Sequence, residues 1–103
     1  KLTMKKTGNE CFVAIDDGPP KRRMWIVAHD QVPPSAPAHH FSGWEIVIDE
    51  MSSVGDWEPL WDTIADTFAE ALLYPPEYVS SQAQWRENKS GKPVDIFELE
   101  FEE

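Results

Sequence analysis

Apolar and polar positions alternate most regularly over residues 43–50 (GWEIVIDE). Trp44, Ile46 and Ile48 fall on one side, and Glu45, Val47 and Asp49 on the other. A period of two predicts a strand with its tryptophan and isoleucines turned to a core. Residues 94–101 (VDIFELEF) repeat the pattern, with Phe97, Leu99 and Phe101 expected inward and Glu98, Glu100 and Glu102 outward. Residues 10–15 (ECFVAI) and 23–28 (RMWIVA) are apolar at nearly every step, which predicts strands central in a sheet or covered on a face. Between them stands Asp16-Asp17-Gly18-Pro19-Pro20, dense turn chemistry, so the two strands are expected to form an antiparallel hairpin.

A different period governs residues 57–74 (WEPLWDTIADTFAEALLY). Trp57, Trp61, Ile64, Phe68 and Leu72 recur at steps of four, three, four and four, widened by Leu60, Ala65 and Ala71. That spacing predicts the main amphipathic helix of the chain. Asp56 is placed to cap it, Pro59 sits in its first turn, and Pro75-Pro76 stops it. Its polar side would carry Glu58, Asp62, Asp66 and Glu70 four residues apart, with no base among them. Three like-charge pairs stacked in this way cost about 1 kcal/mol together.

Residues 76–89, with Tyr78, Val79, Gln82 and Trp85 at helical spacing, predict a shorter second helix ended by Ser90-Gly91-Lys92-Pro93. Residues 29–42 hold Pro33, Pro34 and Pro37 without periodicity and are expected to form an extended loop. The element order is β-β-β-α-α-β. The expected fold class is α+β: an antiparallel sheet of about four strands with the main helix and the shorter one on one face. Residues 1–9 are expected as a flexible polar lead-in and residues 10–103 as a single acidic domain. Lys1-Leu2-Thr3 ahead of Met4 has the look of an expression remnant.

Composition adds little to the fold and much to the choice of partner. Hydrophobic content of 41% and five tryptophans fit a folded domain of 103 residues, not an acidic tail. The net charge of −10 is gathered in the middle. Between residues 24 and 85 there is no Lys or Arg, while ten acids fall there, from Asp30 through Glu77. Such a field repels phosphate, so direct nucleic-acid or anionic-membrane binding is excluded, and a basic partner is the complement. Cys11 is the one cysteine, which rules out an internal disulfide and fits the reducing cytoplasm of a bacterial host. No apolar run approaches the length of a membrane-spanning helix.

Candidate chemistry is sparse. His29, His39 and His40 lack the spacings of zinc sites, and adjacent histidines on an extended loop point apart. No metal or other cofactor is expected. Carboxylate pairs such as Asp49-Glu50 or Asp62/Asp66 lie on polar sides, without the enclosure that separates two pKa values. Ser52-Ser53 and Ser80-Ser81 have no nucleophile-elbow context, and Cys11 lies in an apolar strand. The tryptophans have no bases beside them to serve as a nucleic-acid stacking platform.

The chain is therefore expected to be a non-enzymatic binding protein that blocks a basic surface, of the kind a nucleic-acid-binding protein or nuclease complex exposes. Anti-CRISPR, anti-restriction and toxin-immunity inhibitors of phages and mobile elements share this size and charge. The expected contacts are Glu58, Asp62, Asp66, Glu70, Asp49 and Glu77, with Trp57 or Tyr78 as aromatic anchor. The alternative is an assembly module that self-associates, as a homodimer for instance, through its sheet, its acidity serving solubility alone.

Overall fold

A computed structural model describes residues 1–29 and 43–103. Among these residues seven strands form two sheets. β2 (Cys11–Asp16), β3 (Arg22–His29), β4 (Gly43–Met51), β5 (Trp57–Ala65) and β6 (Gln84–Glu87) build an antiparallel sheet in the order β5-β4-β3-β2-β6. β1 (Leu2–Lys5) and β7 (Leu99–Glu102) pair in parallel as a second, two-stranded sheet. Two four-residue helices, α1 (Phe68–Ala71) and α2 (Pro75–Tyr78), and a 3-10 turn at Ile96–Glu98 complete the α+β fold.

The expected hairpin forms, with Phe12 opposite Ile26 and Ala14 opposite Met24. Its turn requires glycine at position 18, where φ is +68° and a Cβ would collide with the Pro20 carbonyl. Trp44, Ile46 and Ile48 of β4 face the core and are fully buried, as their alternation predicts. Each such side chain contributes about 1.5–3 kcal/mol through burial. Phe12, Met24, Ile26 and Trp85 extend that face, and Phe68, Ala71, Ile96, Leu99 and Phe101 cover it. Trp44 lies 4.8 Å from Phe68 and 5.1 Å from Phe101, ring centre to ring centre, so one aromatic cluster joins α1 and β7 to the sheet.

The main helix over residues 57–74 does not form. Residues 57–65 are instead the edge strand β5, paired with β4 from Trp44↔Ala65 to Met51↔Trp57. The physical reason is the open edge of β4, whose backbone groups need partners along an apolar strand. Trp, Thr and Ile suit a strand, and Pro59 is tolerated at a sheet edge. The strand also removes the stacked like charges of the helix.

The second helix is corrected in the same way. Only Pro75–Tyr78 is helical, and residues 84–87 form β6, which buries Trp85 opposite Ala14. The sheet therefore has five strands instead of about four. Phe97, expected inward, is 43% exposed because the 3-10 turn breaks the alternation and buries Ile96 in its place. Leu2–Lys5, expected as lead-in, supplies β1, and Lys6 Nζ donates to the carbonyls of His29 and Gly43.

Candidate functional site

The side of the sheet turned away from the core is a second, mixed surface. Strand alternation and register place Trp57, Pro59, Asp62 and Ile64 of β5 there, beside Glu45, Val47 and Asp49 of β4. Next come Arg23, Trp25 and Val27 of β3, then Cys11, Val13 and Ile15 of β2 and Arg86 of β6. The helices and the β1–β7 pair all pack on the opposite, core face. Among the described residues no element lies over the outer face.

At one end of this face four side chains interlock. Arg23 Nε and Nη2 donate to Asp49 Oδ2 at 3.0 and 2.8 Å, and the Trp25 indole N–H donates to the same oxygen at 3.2 Å. The guanidinium also lies over both indoles, 4.6 Å from the Trp57 ring centre and 5.2 Å from that of Trp25. Asp49, expected as a partner contact on a polar side, is buried here, with its Oδ2 accepting all three bonds. Trp57 is the floor of the same cluster, not a free anchor. Arg22 holds Glu50 at 3.1 Å on the other side of the sheet, and Glu45 lies 3.2 Å from His29 Nε2.

The remaining expected contacts scatter from β5 to α2. A bulge at Leu60 shifts the register between Ile48 and Asp49, so that Glu58 and Asp62 project on opposite faces of the strand. Asp66 lies in the turn before α1 and is exposed. Glu70 caps α1: its N–H donates to Thr67 Oγ1 at 3.1 Å, and its carboxylate accepts from the Asp66 N–H at 2.8 Å. Glu77 is exposed on α2. Tyr78 stacks on Trp61, with ring centres 5.3 Å apart and planes 21° apart, and Tyr74 touches the same indole. The helical row of four acids is therefore absent.

Glu58, Asp62, Asp66 and Glu77 are exposed, and none has a cationic partner among the described residues. The ion pairs lie elsewhere, at the β2–β3 turn and along β3–β4. Leu60 and Ile64, 45% and 50% exposed, stand among these acids.

Sequence reasoning missed Arg23, Arg86 and Glu103. The one legible signal was strand alternation, which puts Arg23 and Trp25 on one face two residues apart. Glu103 accepts from the Trp44 indole at 2.6 Å and from the Phe68 N–H at 2.9 Å, a link across the fold with no sequence signature.

A cavity of about 360 Å³ opens between β1 and β2, its lining including the apolar Leu2, Phe12 and Leu99 together with Glu10, Cys11, Glu87 and Lys89. Burial pushes the Glu10 carboxyl up, but the N–H groups of Thr7 and Gly8 and the Thr7 hydroxyl outweigh it and hold the pKa below the ordinary value. Burial raises the Cys11 thiol pKa. These shifts leave Glu10 a poor proton donor and Cys11 a poor nucleophile near neutral pH. Among the described residues no group of three or more His, Cys, Asp or Glu is placed to hold a metal ion. His39 and His40 lie outside the described residues. No described helix is long and apolar enough to cross a membrane.

No protein-family model, curated protein or solved structure matches the chain.

Proposed function

We propose that the chain is a non-enzymatic binding module that docks its β5 edge and the adjoining α1–α2 segment on a basic protein surface. The observation that carries this reading is the separation of charge. Arg22 and Arg23 of β3 neutralise Glu50 and Asp49 of β4, while Glu58, Asp62, Asp66 and Glu77 have no cationic partner among the described residues. β5 is an edge strand, so Glu58 and Asp62 both meet a partner that approaches from that side, although they project on opposite faces.

Lysines and arginines on the partner would pair with these carboxylates, which speeds encounter and fixes register more than it adds affinity. Leu60 and Ile64 supply the apolar contact, since Trp57 and Tyr78 are engaged within the chain. The fitting partner surface is a nucleic-acid-binding site, and occupying it would block it. In that reading the chain acts as inhibitors of CRISPR, restriction or toxin nucleases act. An assembly role is the second reading, favoured by the outer sheet face that no described element covers.

The test compares retention of proteins from a bacterial lysate by the wild type and by a Glu58→Lys, Asp66→Lys, Glu77→Lys variant shown to be folded. The expected result is a nucleic-acid-binding protein held by the wild type, released as salt rises, and lost by the variant. Equal retention by both, or retention indifferent to salt, overturns the reading.

A further inference from the structure

One cross-strand row on the outer face reads Arg86, Val13, Trp25, Val47, Asp62, from β6 to β5. A base ends the row on one edge strand and an acid ends it on the other, with three apolar side chains between. β3 is the middle strand of the five, so the row is symmetric about Trp25 with the charges exchanged. Each charged position lies about 10 Å from Trp25 at ordinary strand spacing. Asp62 has no cationic partner among the described residues, and Arg86 donates to the Gly91 carbonyl at 3.1 Å but meets no described carboxylate.

We propose that this face is the interface of a symmetric homodimer, with a second copy packed face to face about a two-fold axis along β3. Rotation about that axis sets the β6 edge of one copy over the β5 edge of the other. Arg86 then meets Asp62 of the partner subunit, and Asp62 meets Arg86 of the partner subunit. Val13 packs on Val47 of the partner subunit, and Trp25 lies against its own counterpart. Sheets packed in this way cross at about 30°, an offset that the long Arg86 side chain spans.

Charge selects this occupant. Two copies of net charge −10 repel each other over most of their surface. On this face Arg23 already neutralises Asp49 and Arg86 offsets Asp62, so among the described residues only the Glu45 charge is left over, and the row ends are mutually attractive. Five strands of this length offer about 550 Å² per copy in projection. The total of about 1,100 Å² reaches the size at which specific interfaces begin. Glu58 projects from the other face, and Asp66 and Glu77 lie beyond β5, so the dimer withdraws Asp62 and Ile64 from the docking edge and leaves the other three acids for a basic partner.

The test is sedimentation equilibrium of the wild type, of Asp62→Arg, of Arg86→Asp, and of an equimolar mixture of the two variants. In each variant alone both charge pairs become repulsive, and the dimer should weaken roughly tenfold or more. In the mixture a copy with a base at both ends of the row faces a copy with an acid at both ends. Both pairs are then again opposite in sign, so a heterodimer should recover wild-type affinity. Recovery by mixing excludes misfolding as the cause of the single-variant losses. A wild type that stays monomeric at submillimolar concentration overturns the proposal. So does a dimer indifferent to both substitutions.

Discussion

The Arg23 guanidinium and the Asp49 carboxylate, cross-strand partners in β3 and β4, meet at 2.8 Å on the solvent side of the sheet. The two tryptophans give the pair its setting: Trp25 donates to the same carboxylate oxygen, and Trp57 lies beneath the guanidinium. Shielding by the indoles makes this contact stronger than an exposed ion pair, and makes losing one member worse than losing both.

Replacing Asp49 by Ala should therefore destabilise the fold by about 2 kcal/mol, because it strands Arg23 and the Trp25 N–H. The double variant Arg23→Met, Asp49→Leu should recover most of that loss. Urea unfolding followed by tryptophan fluorescence measures both. Additive losses in the double variant would show that the two residues do not act as a pair.

The acid limb of the stability profile should depend on Asp16 and Glu10. Hydrogen bonds from the N–H groups of Gly18 at 3.0 Å and Ser80 at 2.7 Å hold the Asp16 pKa below its ordinary value. The second bond ties the segment between α2 and β6 to the β2–β3 turn. Burial raises the Glu10 pKa, and the donors of Thr7 and Gly8 more than reverse it. Both folded pKa values are thus depressed relative to the unfolded chain. Their contribution is complete above the unfolded carboxylate values and disappears as pH falls through the folded ones. Unfolding midpoints should drop between about pH 5 and pH 2, and Asp16→Asn should flatten part of that slope. Carboxyl titration by NMR reads the same shifts directly, and an Asp16 midpoint at or above the ordinary value would contradict this account.

The strands with regular alternation or a continuous apolar run were legible in the sequence: β2, β3, β4 and the inward Leu99 and Phe101 of β7. β5 was not, and its bulge is the cause. In a regular strand Trp57 and Trp61, four residues apart, share a face, as do Glu58 and Asp62. The extra residue at Leu60 reverses the parity, so Trp57 lies under Arg23 while Trp61 stacks on Tyr78 on the opposite side. What remained visible was a spacing of three and four, which reads as a helix. The true helix start was written as Thr67-Phe68-Ala69-Glu70, a capping signature, but lay inside the longer pattern. The acidic surface was legible as composition, because a missing base needs no geometry. Its arrangement was not, since Asp49 is neutralised by a residue 26 positions away.

Glu103 offers the sharpest check on the core. Its carboxylate accepts from the Trp44 indole at 2.6 Å with one oxygen and from the Phe68 N–H at 2.9 Å with the other. Trp44 is fully buried, so its indole N–H has no water to turn to. The Phe68 N–H opens α1 and has no acceptor within the helix. Glu103→Ala removes both acceptors and should cost about 1–3 kcal/mol. Glu103→Gln keeps one carbonyl oxygen, which serves one of the two donors, and should fall between the Ala variant and the wild type. The Trp44 indole resonance in a ¹⁵N spectrum reports the bond, and should shift upfield and exchange faster in the Ala variant. An unchanged resonance with an unchanged unfolding midpoint would mean that α1 and β7 are held by the Trp44, Phe68 and Phe101 rings alone.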